Sequence, residues 1–115
     1  MSPRRTPLTS PELARLRTEI DELDRRIVSL LNQRAELARA VAHEKAAIGR
    51  RAIRDRDRER EVLLRVSIHN DGPTPQADLL AIYRRLIATA RTLETQERDR
   101  LRHGEDDGPA EPPGA

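Results

Sequence analysis

Two cations stand where an apolar side chain is due. Leu13, Leu16, Ile20, Leu23, Ile27 and Leu30 recur at alternating steps of three and four, the stripe along which one helix packs on another. The next position of that series is Arg34, and the series resumes at Leu37 and Val41. Lys45, the only lysine of the chain, follows eleven residues after Arg34. Eleven steps of about 100° return to within ~20° of the starting face. Arg34 and Lys45 therefore both point along the inward side of the helix, about three turns apart.

Acids of similar interest lie downstream. Asp55 and Glu59 are four apart with Arg58 beside them, and Glu94 follows Leu93 on the flank of a later apolar face. Each residue also has an ordinary use. Lys45 suits the dipole at a helix C-terminus, and Arg34 suits a buried ion pair or a snorkelling side chain. Asp55 suits a helix cap, and Glu94 a surface acid. Taken together, cations aimed into a helical bundle point to a site for a small polyanion, most simply a dicarboxylate.

The elements that must position these groups are helical. Ser10 is a capping residue, Pro11 takes the first helical position and Glu12 lies in the first turn. Leu31, Ala38 and Ala42 widen the apolar stripe, Ile48 extends it, and Gly49 ends the run. Asp21–Arg25 and Glu22–Arg26 are (i, i+4) pairs in the favourable order on the outer face. At 1.5 Å per residue such a helix is roughly 55–60 Å long. A compact domain of ~100 residues has a radius of gyration near 13 Å, so the helix overhangs a monomer. A second copy of the chain is the simplest cover for its stripe, and a homodimer is expected.

A second helix is expected from a cap at Asp55 or Asp57 to about Ile68, with Val62, Leu63 and Val66 on its buried face. His69-Asn70-Asp71-Gly72-Pro73 is a stop-and-turn signal. The third helix begins after Pro75 and carries Leu79, Leu80, Ile82, Tyr83, Leu86, Ile87, Ala90 and Leu93, with Leu101 as a candidate extension. Residues 1–9 and the acidic Pro/Gly tail 103–115 read as disordered ends around one helical domain spanning 10–102. The fold class is all-α.

Composition narrows the function further. The chain has 115 residues, no cysteine and 1% aromatics, which excludes a disulfide framework, a thiolate nucleophile and cysteine-based zinc sites. The three histidines are too scattered to read as a metal site, so no metal or cofactor is expected. Net charge is only +2 despite 37% charged residues, because acids are interleaved with arginines. A nucleic-acid binder would show a one-sign stripe, and a single-strand binder aromatics for stacking; only Tyr83 is present. No apolar run approaches a membrane span and the first ten residues lack a signal-peptide core, so a cytoplasmic protein is expected.

One stretch resembles a known family. Leu16-Arg17-x-x-Ile20-Asp21-x-x-Asp24-x-x-Ile27-x-x-Leu30-Leu31-x-x-Arg34-x-x-Leu37-Ala38-x-x-Val41-Ala42-x-x-Lys45 is similar to the first helix of the all-helical chorismate mutases. Arg54-Asp55-x-x-Arg58-Glu59 resembles their second-helix motif, and Ala90-Arg91-Thr92-Leu93-Glu94 resembles the third. The resemblance implies an intertwined dimer with two sites for chorismate, which is rearranged to prephenate. By position, Arg34 would bind a carboxylate, and Arg17 would reach the same ligand from the other subunit. Lys45 would contact a carboxylate and the ether oxygen of the breaking bond. Glu59 would hold the ring hydroxyl, with Asp55 and Arg58 shaping that end, and Glu94 would face the ether oxygen.

The implied reaction is an intramolecular [3,3] shift that needs no nucleophile, metal or cofactor. Cations and hydrogen-bond donors suffice to select the reactive conformer and stabilise charge on the ether oxygen. Two departures from the family pattern stand out. Ala90 replaces a polar residue, which removes one ligand contact, and the connector Arg50-Arg51-Ala52-Ile53 lacks the commoner proline. The alternatives are isochorismate pyruvate-lyase or 4-amino-4-deoxychorismate mutase on the same fold, and a non-catalytic helical dimerisation or regulatory module.

Overall fold

A computed structural model describes residues 10–50 and 53–106. Expectations for residues 1–9, for Arg51 and Ala52 and for 107–115 lie outside the described residues. Three helices follow in order: α1 (Pro11–Ala47), α2 (Arg56–His69) and α3 (Gln76–Asp106). Among the described residues there is no strand, and no helix is long and apolar enough to cross a membrane.

The helix ends are made by local chemistry. Ser10 Oγ accepts from the Leu13 N–H at 3.0 Å, satisfying one of the free donors at the start of α1. At the other end Gly49 adopts φ +76°, a conformation costly for residues with a Cβ. That turn lets the Arg50 N–H reach the Lys45 carbonyl at 2.8 Å and the Gly49 N–H reach that of Ala46 at 3.1 Å. This double bond pattern is a Schellman cap, and it closes the turn that carries Lys45. Of the two expected caps for α2, Asp55 serves: its Oδ1 accepts from the Arg58 N–H at 2.9 Å, a contact worth about 1 kcal/mol. The link from α2 to α3 is tied by Asn70 Nδ2, which donates to Gln76 Oε1 at 2.7 Å, and by Gln76 Nε2, which donates to the Ser67 carbonyl at 3.2 Å.

The third helix departs from expectation at its end. It continues past 102, through His103 to Asp106, where a disordered tail was expected to begin. Leu101 is half-buried there, and His103 Nδ1 lies 2.9 Å from the Asp99 carbonyl of the preceding turn.

The chain divides into two units, residues 1–34 and 35–115. The first consists, as described, of the N-terminal stretch of α1. Its stripe of Leu16, Ile20, Leu23, Ile27 and Leu30 is exposed throughout, from 43% to 59%. The second unit holds the rest of α1 with α2 and α3. Its buried apolar residues are Ala38, Ala42 and Ile87; burying a side chain such as Ile87 contributes about 1.5–3 kcal/mol. On this part of α1 the alanine edge of the stripe is covered, whereas Leu37 and Val41 remain 67% and 44% exposed. Val62, Leu63 and Val66 of α2 are half-buried, as are Tyr83, Leu86 and Leu93 of α3; Ile82, expected on the same face of α3, is instead exposed. Two acids complete the interior, Glu94 and Glu97.

Candidate active site

The second unit brings Lys45 and Glu94 together. Lys45 leaves the last turn of α1, and its Nζ donates to Glu94 Oε1 on α3 at 2.9 Å. A second donation, also 2.9 Å, goes to the carbonyl of Ile53 in the connector before α2. The two side chains are 12% and 10% exposed. An ammonium has three N–H donors, so these two bonds leave one for a ligand. Removing such a pair from water costs as much as the attraction returns. Stability alone is therefore a weak reason for it, and a pre-aimed cation is a better one.

Asp55 and Glu59 sit on α2 as cap and first-turn acid. The Arg58 backbone N–H holds the Asp55 carboxyl below its usual range; burial opposes this, and the charges of Arg50 and Lys45 reinforce it. Asp55 Oδ2 lies 3.8 Å from the Arg50 guanidinium. Glu59, 17% exposed, is clasped between Arg54 Nε at 3.4 Å and Arg91 Nε at 3.6 Å. Arg58 itself turns along α2 to Glu61 at 3.3 Å and is 56% exposed, so its guanidinium is not gathered with Lys45 and Glu94.

Ala90 lies on α3 one turn before Glu94 and is half-buried. Its neighbour Thr89 does not replace the missing hydroxyl, because Thr89 Oγ1 donates back to the Arg85 carbonyl at 3.0 Å. Between α2 and α3 a pocket of about 340 Å³ opens over Leu63 and Ile87, with Glu59 on its wall and Arg54, Arg84 and Arg91 around it. These surroundings favour an anion.

Arg17 and Arg34 belong to the first unit. Arg17 is exposed and Arg34 partly so. Among the described residues neither carries an ion pair or side-chain hydrogen bond. Both guanidinium groups are thus available for a ligand or for another chain.

Two features escaped the sequence reading. Arg91 partners Glu59, and Glu97 lies at 3% exposure with His43, Arg39 and Arg100 around it. The Arg39–His43 spacing of four and the Glu97–Arg100 spacing of three were visible signals, although each reads equally well as a surface pair.

Comparison with known proteins identifies the family of the chain. Residues 16–95 match the family described as chorismate mutase type II. Over 87 residues the chain is 38% identical to a bifunctional chorismate mutase/prephenate dehydratase of Aquifex aeolicus (strain VF5), covering 72% of this chain and 24% of that protein. A protein of the same description from Stutzerimonas stutzeri is 32% identical over 87 residues, with the same coverage. The chain thus spans about a quarter of the length of these curated relatives. The matched segment holds every candidate site residue from Arg17 to Glu94, and the chain belongs to the chorismate mutase type II family.

Proposed function

We propose that this chain rearranges chorismate to prephenate. The observation that carries the reading is the Lys45–Glu94 pair: the only lysine of the chain, largely desolvated, with one N–H in reserve. The reaction breaks one carbon–oxygen bond and makes one carbon–carbon bond within a single molecule. The protein's task is then to hold the compact conformer and to stabilise negative charge growing on the ether oxygen. Lys45 supplies a donor to that oxygen. Arg34 binds a substrate carboxylate, Glu59 takes the ring hydroxyl, and Asp55 and Arg58 shape that end of the site. Glu94 faces the ether oxygen, where its protonated form donates and its ionised form opposes the developing charge.

The active form is a homodimer. Support comes from the exposed apolar residues Leu16, Ile20, Leu23, Ile27 and Leu30, a contiguous stripe of the kind that marks an interaction surface. Each site then receives Arg17 of the partner subunit, which carries no ion pair within its own described chain. An ultraviolet assay of chorismate loss, with prephenate identified as product, tests the reading. Isochorismate and 4-amino-4-deoxychorismate run beside it. Turnover of either in place of chorismate overturns the substrate assignment, and no turnover of any of the three overturns the enzyme.

A further inference from the structure

We infer that Glu97 is a positioning residue whose carboxylate ties α3 to the last turns of α1 through Arg39 and His43, and so holds Glu94 opposite Lys45. Its effect on catalysis rests on the mutase reading above; its effect on the Lys45–Glu94 pair does not.

The Glu97 side chain is 4% exposed and receives partners from both helices. From α1, His43 Nε2 lies 2.5 Å from Oε1 and Arg39 Nε 3.4 Å from Oε2. From α3 itself, Arg100 Nε lies 3.1 Å from both oxygens. Arg39 is braced in turn by Glu36 at 3.2 Å. Arg39 and His43 are four apart on one face of α1, with Lys45 just beyond, while Glu97 stands one turn after Glu94. The two acids of α3 thus meet the basic residues of α1 as neighbouring rungs.

The two rungs are not equivalent. Lysine is a point charge on a flexible stem, and a single lysine–acid pair tolerates a range of helix positions. A buried carboxylate with partners on two helices is more demanding. A shift between the helices strips it of Arg39 and His43, leaves Arg100 of its own helix as its remaining partner and keeps it desolvated. Hydrogen bonding from Arg100 comes first in holding the Glu97 carboxyl down at about 2, with His43 adding to it against the opposing effect of burial. Glu97 therefore keeps its charge through the neutral range. Glu97 and Arg100 both lie beyond the segment matched to the family, which ends at 95.

Because Lys45 is the only lysine, its modification by trinitrobenzenesulfonate, read by peptide mass spectrometry, reports directly on the pair. Glu97→Gln should raise the Lys45 modification rate roughly tenfold, the size of one lost charge-assisted hydrogen bond. Glu97→Asp, which keeps the charge on a shorter arm, should recover part of the protection. Leu80→Ala serves as a control for general loosening, since Leu80 is a half-buried side chain elsewhere on α3. An unchanged rate in folded Glu97→Gln, or an equal rise in Leu80→Ala, overturns the assignment. If Glu97→Gln does not fold, His43→Ala at an exposed position asks the same question. A smaller rise supports the tie and no rise overturns it. For catalysis, Glu97→Gln should lower kcat in the native background and have no further effect beside Glu94→Ala, whereas additive losses overturn action through Glu94. Should the native protein leave chorismate untouched, the mutase reading fails while the labelling still decides the role of Glu97.

Discussion

Lys45 Nζ and Glu94 Oε1 stand 2.9 Å apart, joining the end of α1 to the middle of α3 with both side chains nearly out of water. The Schellman cap at Gly49 holds the backbone turn beneath the lysine, and the Ile53 carbonyl takes a second of its protons. A cation held this way needs no reorganisation when charge develops beside it.

Lys45→Ala should therefore remove most turnover and leave the helices in place. Loss of one preorganised donor typically costs ~10²–10³ in rate. Lys45→Arg should recover only part, since a planar fork does not replace a point charge. Steady-state kcat/KM alongside circular dichroism checks this. Near-native kcat/KM in a folded Lys45→Ala protein would remove Lys45 from the chemistry.

Glu94→Gln keeps the length of the side chain and donates a hydrogen bond at every pH. A carboxylate facing the ether oxygen opposes the charge that develops there, whereas the amide of the glutamine variant donates to it. At neutral pH Glu94→Gln should therefore keep kcat/KM at or above the native value, whereas Glu94→Ala, which has no donor, should lose most of it. A folded Glu94→Gln protein well below native kcat/KM assigns Glu94 to holding Lys45 and not to the ether oxygen.

The exposed stripe of α1 predicts a dimer, visible by light scattering at micromolar concentration as twice the 13.1 kDa chain. Mixing inactive Arg17→Ala and Lys45→Ala chains should restore activity, because each mixed dimer keeps one intact site. Verified subunit exchange without recovery would place Arg17 outside its partner's site.

Glu97 predicts an acid limb of stability. Its carboxyl is held at about 2 in the folded chain, chiefly by Arg100, against about 4.3 for a glutamate in water. A depressed carboxylate stabilises the fold above the unfolded value, and that contribution fades as pH falls toward the folded one. The Tm difference between native protein and Glu97→Gln should be full at neutral pH and should close between about pH 5 and pH 2. A difference that stays constant over that window would show that the charge of Glu97 does not contribute.

Much of this molecule is local, and what is local was legible. The caps at Ser10, Asp55 and Gly49 act over a few residues, so residue type and spacing placed the first and last and narrowed the cap of α2 to Asp55 or Asp57. The inward aim of Lys45 follows from helical periodicity alone. Its partner does not, because Glu94 is 49 positions away and Ile53 belongs to a connector with no periodicity. Glu97 is more distant still from Arg39 and His43, at 58 and 54 positions. Read locally, those residues are unremarkable surface charges that pair equally well within their own helices. Periodicity also gave the stripe of α1 one undivided face, yet Ala38 and Ala42 are buried while Leu37 and Val41 are not. Spacing says that a face is apolar. Only the packing of distant segments decides which edge of it the same chain covers, and which acid is left without water to meet the lysine.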